Sequence, residues 1–145
     1  MIQLIRKVTT KMELDVFNQI VEKVWLEKGY TVEHATLESN CYILYNQHEV
    51  PVGTAEFRAV TPESEVLKYY PPFNVDHTVE VDKIAIMKEH RGPEHFARLL
   101  GLILDYCKEN HIDNYISLLE PSLFNLLKNE MKLPIDVAYE RSTSR

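Results

Sequence analysis

Three carboxylates fall where acid–base chemistry would need them. Glu80 and Asp82 alternate along VEVDKIAIM (79–87), the most strand-like run in the chain, and so share one strand face. Glu56 lies in an earlier run, GTAEFRAV, where Ala55, Phe57 and Ala59 form an apolar face and Thr54, Glu56 and Arg58 a polar one. If the two runs pair, the carboxylates converge. Such a cluster attracts an ammonium group, and crowding raises the pKa of one carboxyl toward the working range of a general base. The alternative is a solvated strand edge. Lys83 either neutralises the cluster, holds a substrate carboxylate, or is a surface charge.

A second chemical feature follows at once. The strand ends in a turn, KEHRG (88–92), that opens into PEHFARLLGLILDYCKEN (93–110). A strand–turn–helix junction leaves unpaired amides at the positive end of the helix dipole, a ready site for phosphate. Lys88, His90, Arg91, His95 and Arg98 add positive charge around it, with Arg91 the strongest candidate for phosphate contact. Gly92 either serves that site or merely permits a tight turn. His77 and His95 are candidate bases or bystanders. Six histidines without an H-x-x-x-H spacing, and two distant cysteines, Cys41 and Cys107, predict no metal site and no disulfide scaffold. Tyr69, Tyr70 and Phe73, beside Pro71 and Pro72, either line an acyl pocket or cover the core.

The elements that must position these residues are legible from spacing. MIQLIRKV reads as a first strand. Thr10 with Glu13 forms a capping box, followed by Leu14, Phe17, Ile20, Val21 and Val24 at helical spacing up to Lys28-Gly29. Residues 31–39 are ambiguous. Residues 41–60 read as a hairpin around Asn46-Gln47-His48-Glu49. A short helix is predicted over 61–70, with Thr61 as cap and Pro62 at its first position. The helix from Pro93 to about Asn110 buries Phe96, Leu99, Leu100, Ile103 and Cys107. A strand over 114–120, a helix over 121–131 and a last strand over 135–139 complete the order. The expectation is one α+β domain, residues 1–145, with a mixed, mostly antiparallel central sheet and helices on both faces.

Composition narrows the function classes. The 145 residues are 45% hydrophobic and 26% charged, the balance of a globular domain. A net charge of -6, from 16 Lys+Arg and 22 Asp+Glu, argues against a general nucleic-acid binder. No apolar run approaches the roughly 20 residues of a membrane helix, and MIQLIRKVTTKMELDVF does not read as a signal peptide. A cytoplasmic location is expected.

The unit over residues 79–100, and the order of elements around it, resemble the GNAT N-acetyltransferase superfamily. Ile84, Ala85 and Ile86 match the family's apolar strand, whose backbone pairs with pantetheine; Arg91-Gly92 matches the start of its R-G-x-G-x-G pyrophosphate loop. The resemblance implies that Ile84–Ile86 and the loop Arg91, Gly92, Pro93, Glu94, His95, Phe96 and Ala97 hold acetyl-CoA or a longer acyl-CoA. Glu94 and Phe96 replace the later glycines, and Leu127 stands where many members carry a tyrosine that protonates the leaving thiolate. Glycine lets phosphate approach the backbone, whereas Glu94 brings a negative charge.

GTAEFRAVTPESEVLKYYPPF followed by EVDKIAI is also similar to acyl-homoserine-lactone synthases and related N-acyl amino acid synthases. Glu80 falls on their glutamate and Lys83 on their arginine; Glu56 stands at their strand arginine, with Arg58 two residues on. PSLFNLLKNEMKLPIDV is similar to their last helix and strand, while their aromatic and acidic N-terminal signature is not evident in residues 1–45.

Together these imply an N-acyltransferase that moves an acyl group from acyl-CoA to a small amine such as an amino acid. Glu80 and Asp82 are then the catalytic carboxylates, and Glu56, Arg58 and Lys83 the substrate contacts. One alternative is an acyl carrier protein as donor, since a carrier-bound phosphopantetheine has no pyrophosphate to cradle. The other is a non-catalytic GNAT-fold binding module. The expected partners are a small amine and, in the second reading, the carrier protein; no nucleic acid and no membrane are expected, and a homodimer is left open.

Overall fold

Helix α1 (Lys11–Glu27) begins at the predicted capping box: the Glu13 amide donates to Thr10 Oγ1, and the Thr10 amide donates to Glu13 Oε1, each at 3.1 Å. The Thr9 amide also donates to that oxygen, and these bonds hold the Glu13 carboxyl below its usual pKa. The helix stops at Lys28, with Gly29 at φ 81, a left-handed position that glycine occupies without strain. The computed structural model describes residues 4–31, 33–64 and 76–117, together with 125, 128 and 129.

Strands β1 (Ile5–Lys7), β2 (Asn40–Tyr45), β3 (Pro51–Ala59), β4 (Thr78–Ile86) and β5 (Asn114–Ile116) form one sheet in sequence order. Pairing is antiparallel from β1 to β4; β4 and β5 are parallel, joined through α2 (Pro93–Glu109). The β2–β3 turn is the predicted one. Asn46 Oδ1 accepts from the His48 and Val50 amides, and Glu49 takes φ 60.

Each helix covers one sheet face. Phe17, Ile20, Val21 and Val24 of α1 pack on Cys41, Ile43, Tyr45 and Ala85. Phe96, Leu99 and Ile103 of α2 pack on Ala55, Phe57, Val79, Val81 and Ile86. Burying each of these large side chains stabilises the fold by about 1.5–3 kcal/mol. The chain is therefore a mixed, mostly antiparallel α+β sheet with a helix on either face, as expected. Residues 33–36, where the sequence was ambiguous, form no element. Buried Asn18 instead fixes them by exchanging both amide bonds with the Ala35 backbone, at 2.8 and 3.2 Å.

Three expectations change. Leu100 is only half-buried and stays outside the α2 core, which runs on to Tyr106 instead. Tyr106 stacks on Phe57 at 4.0 Å because its ring follows the Phe96–Leu99–Ile103 stripe. The polar face of β3 is not solvated at Thr54 and Glu56, which are 1% and 2% exposed beneath the α1 side of the sheet. At 61–64 the chain makes a turn, with the Ser64 amide donating to the Thr61 carbonyl at 3.0 Å. The rest of the predicted 61–70 helix, Tyr69, Tyr70, Phe73, the 121–131 helix with Leu127, and the 135–139 strand lie outside the described residues, apart from isolated positions in that helix.

Candidate active site

The site grows from an irregularity in β4. Thr54 pairs with Ala85 and Glu56 with Asp82, so two steps on β3 answer three on β4. The extra residue is a bulge, and Lys83 in it has φ 49. A non-glycine residue there carries strain of order 1–3 kcal/mol and persists only where its surroundings hold it. Here Thr54 Oγ1 donates to the Lys83 carbonyl at 2.8 Å, and the Lys83 amide donates to Asp82 Oδ1 at 2.7 Å. The bulge also resets side-chain parity. Val79 and Val81 before it, and Ile84 and Ile86 after it, all face α2. Glu80, Asp82, Lys83 and Ala85 take the other face.

The acids do converge, and most are buried. Glu56 faces Asp82, and Arg58 faces Glu80, in the β3–β4 ladder. Lys83 Nζ lies 2.9 Å from Glu56 Oε1, and Ser39 Oγ donates to Glu56 Oε2 at 2.5 Å. Lys83 is 6% exposed. Lys83 Nζ also lies 3.9 Å from Asp82 Oδ2, so one ammonium serves two of the acids, with Glu56 the nearer. Lys83 therefore neutralises the cluster from inside the protein, which corrects the surface-charge expectation. Arg58 is half-exposed, with Nη1 4.0 Å from Asp82 Oδ2. Glu80 is 7% exposed. Burial, then the negative charge of Asp82, push its carboxyl above the usual range, with Arg58 pulling the other way. Such a carboxyl holds a proton more readily than its neighbours in water do, which suits a base accepting one from an ammonium group.

Among the described residues the β4–β5 pairing ends at Glu80. β5 pairs with Thr78, Val79 and Glu80, and the Val81 carbonyl is then met by the Ser117 hydroxyl at 2.6 Å. Among the described residues β5 pairs with nothing in Lys83–Ile86. A strand side without a strand partner can accept a further extended chain.

At the end of β4, Lys88–His90 make one 3₁₀ turn and lead to α2. Arg91 donates from Nε to the Ile86 carbonyl at 3.0 Å and is otherwise exposed, so the strand end orients its guanidinium. Gly92 caps α2 without a side-chain bond. Its backbone is extended, φ 171, and a Cβ there would meet nothing within 4 Å. The turn therefore does not require glycine, and among the described residues nothing crowds the helix start.

The amides at the start of α2 are not alike. The Phe96 amide donates to the Gly92 carbonyl and its ring belongs to the α2 core. Ala97 lies one residue deeper, where helix bonds satisfy the amide. Pro93 has no amide hydrogen. The amides of Gly92, Glu94 and His95 remain, with the exposed Glu94 side chain beside them. Arg98 is also withdrawn from the loop: its Nη2 donates to the carbonyls of Leu4 and Tyr45, at 3.0 and 2.8 Å, and Nη1 lies 3.1 Å from His95 Nδ1. Burial and then the Arg98 charge push the His95 pKa down. Sequence reasoning missed Ser39, Thr54 and Ser117. Their partners lie 17, 29 and 36 residues away, and a serine or threonine in such a run carries no local signal.

No family model and no curated protein matches the sequence. Solved structures do match. FeeM, an N-acyl amino acid synthase from uncultured soil microbes, has a TM-score of 0.66 at 20% identity, over 85% of this chain and 76% of that one. The aminoglycoside N-acetyltransferase AAC(6')-Iy in complex with CoA has a TM-score of 0.64 at 14% identity, over 97% of each chain. An acetyltransferase of the GNAT family from Staphylococcus aureus has a TM-score of 0.64 at 14% identity, over 87% of this chain and 82% of that one. The fold is that of the GNAT N-acetyltransferases.

Proposed function

We propose that this GNAT-fold chain is an N-acyltransferase, moving an acyl group from a pantetheine thioester, in the first instance acyl-CoA, to a small amine such as an amino acid. One observation carries the reading. Glu80, a buried carboxyl with raised proton affinity, is the last β4 residue that β5 pairs with among the described residues.

Pantetheine would lie along the backbone of Ile84, Ala85 and Ile86. Its phosphate would meet Arg91 and the amides of Gly92, Glu94 and His95. The amine arrives as an ammonium, drawn by Glu80 and Asp82, while Arg58 suits a carboxylate on the same substrate. Glu80, directly or through a water, takes one proton and frees the nitrogen lone pair. The amine attacks the thioester carbonyl, whose oxygen a β4 amide polarises. The carbon–sulfur bond then breaks, and the second nitrogen proton balances the thiolate, leaving an amide and a free thiol.

A second reading is favoured by Glu94. Its carboxylate beside the open amides disfavours a pyrophosphate, whereas a carrier-bound phosphopantetheine brings a single phosphodiester. The exposed Lys88 and Arg91 suit the acidic surface of an acyl carrier protein. The test is a thermal-shift screen with acetyl-CoA, longer acyl-CoAs and an acylated carrier protein, followed by thiol release with a panel of amines. Stabilisation and turnover with acyl-CoA support the first reading, and response to the carrier alone supports the second. Response to none of them refutes acyl transfer and leaves a binding module.

A further inference from the structure

We propose that the buried Lys83–Glu56 ion pair is a lock on the β4 bulge, and that the two residues are positioning residues: they hold Lys83 in its left-handed conformation and thereby aim the backbone of Ile84–Ile86 at the donor. The inference rests on the acyl-transfer reading for its purpose, though not for its geometry.

Four observations converge. Lys83 is the residue at which β4 gains a step on β3, and its φ of 49 is one that lysine does not choose unaided. Its side chain is nevertheless inside the protein, 2.9 Å from a carboxylate that is 2% exposed. That carboxylate is held in turn by the Ser39 hydroxyl, so the acceptor is fixed as well. The peptide on either side of Lys83 is also held, by Asp82 Oδ1 at its amide and by Thr54 Oγ1 at its carbonyl.

A buried ion pair is weak evidence for stability, because desolvation of both charges offsets their attraction; its best-attested use is to fix register. Register is what is at stake here. Were the extra residue to slide one place along β4, side chains would exchange faces, bringing either an acid or an apolar side chain to the wrong side of the sheet. With Lys83 tied to Glu56, the bulge has one position. The three residues after it then meet the donor with the same groups each time.

The lock acts through φ, and this separates it from a direct role for the charges. Glycine occupies the left-handed region freely, whereas methionine, close to lysine in length, has no more freedom there than lysine. In each double variant Glu56→Gln removes the second charge and keeps the Ser39 bond. Lys83→Met with Glu56→Gln is expected to lose at least tenfold in acetyl-CoA affinity by calorimetry, while Lys83→Gly with Glu56→Gln stays within about threefold of wild type.

Equal affinity for the methionine double variant and wild type would overturn the lock. So would a glycine double variant as weak as the methionine one, because the charges would then be acting directly. If the methionine double variant does not fold, Thr54→Val removes only the hydroxyl on the Lys83 carbonyl. It should weaken the donor several-fold in a folded protein, and unchanged affinity would again refute the proposal.

A donor-free measurement separates this inference from the function. The NMR couplings between the amide and α protons of residue 83, with its α carbon shift and, where a side chain is present, its β carbon shift, report φ. They should show the left-handed form in wild type, its retention with glycine, and its loss with methionine or, in part, with Thr54→Val. A wild type that binds no acetyl-CoA or acylated carrier refutes the acyl-transfer reading. The lock then stands or falls on those couplings alone.

Discussion

Arg58 and Glu80 face each other across the β3–β4 ladder, and the two side chains have opposite fates: Glu80 is buried and Arg58 is half-exposed. The acid is thus kept from water while its nearest cross-strand cation stays reachable from outside. Under the proposed function this asymmetry pairs a proton acceptor with a cation for a substrate carboxylate at facing positions of the ladder.

Glu80→Gln keeps shape and hydrogen bonding but not the charge. Turnover is expected to fall by ~10²–10⁴ with donor affinity intact. Stability should move the other way. Because burial raises the native pKa above the ordinary 4.5, the stability contributed by the neutral form is fully present below 4.5 and is lost as pH rises through the raised native value. Glutamine stays neutral throughout. Thermal melts should therefore show the variant gaining on wild type at pH 8 and matching it near pH 4. Full turnover would remove Glu80 as the base, and parallel melting curves would deny its burial.

Arg91→Ala should weaken acyl-CoA or acyl-carrier binding by ~1.5–3 kcal/mol, the worth of hydrogen bonds to a charged group. Since the side chain is exposed and makes one bond to the Ile86 carbonyl, the melting temperature should barely change. Calorimetry with unchanged affinity would take Arg91 out of the donor site.

Glu94→Gln removes a charge at the α2 start without touching the core. Acetyl-CoA affinity should rise by about 0.3–1 kcal/mol, the range for a charge at a helix terminus, and the gain should shrink with added salt. Restoring both family glycines is a poorer test. Phe96 is 9% exposed in the α2 core, and truncating a buried phenylalanine costs about 3–5 kcal/mol. No gain from Glu94→Gln would mean that no phosphate approaches this turn.

Gly53 stands against β4 with no room to spare: an added Cβ would lie 2.9 Å from the Ala85 carbonyl oxygen. Gly53→Ala should cost about 1–3 kcal/mol, the usual range for overpacking. It should also raise the donor KM, because the displaced atom belongs to the stretch proposed to hold pantetheine. A folded variant with wild-type KM would separate Ala85 from that role.

Arg98→Met should destabilise the protein by about 1.5–3 kcal/mol, since it deletes charge-assisted bonds to the Leu4 and Tyr45 carbonyls. The His95 pKa is depressed below its ordinary 6.5 by burial and then by Arg98, with Glu94 opposing and His90 adding to the effect. The stability contributed by the neutral ring is thus present above 6.5 and lost as pH falls through the native value. His95→Gln should flatten melting temperature against pH on that acidic side. An unaltered profile would show that His95 does not titrate against Arg98.

Much of this molecule was written in short-range pattern. The Thr10–Glu13 capping box, the α1 stripe, the Asn46 turn and the helix opening at Pro93 each depend on residues within a few positions of one another. Local backbone geometry settles them whatever the rest of the chain does. The alternation of Glu80 with Asp82, and of Glu56 with Arg58, foretold that acids would meet if β3 and β4 paired. What the sequence left open was decided by register and by distance along the chain. Lys83 finds Glu56 27 residues away, and Arg98 finds the Leu4 carbonyl 94 residues away. Neither partner is marked by spacing. The bulge itself is invisible to a period of two, because it breaks that period. One additional residue in β4 keeps Val79, Val81, Ile84 and Ile86 on a single apolar face, and turns Lys83 from a surface charge into a buried one. That choice belongs to the whole sheet, since only the summed packing of both faces selects one register over its neighbour.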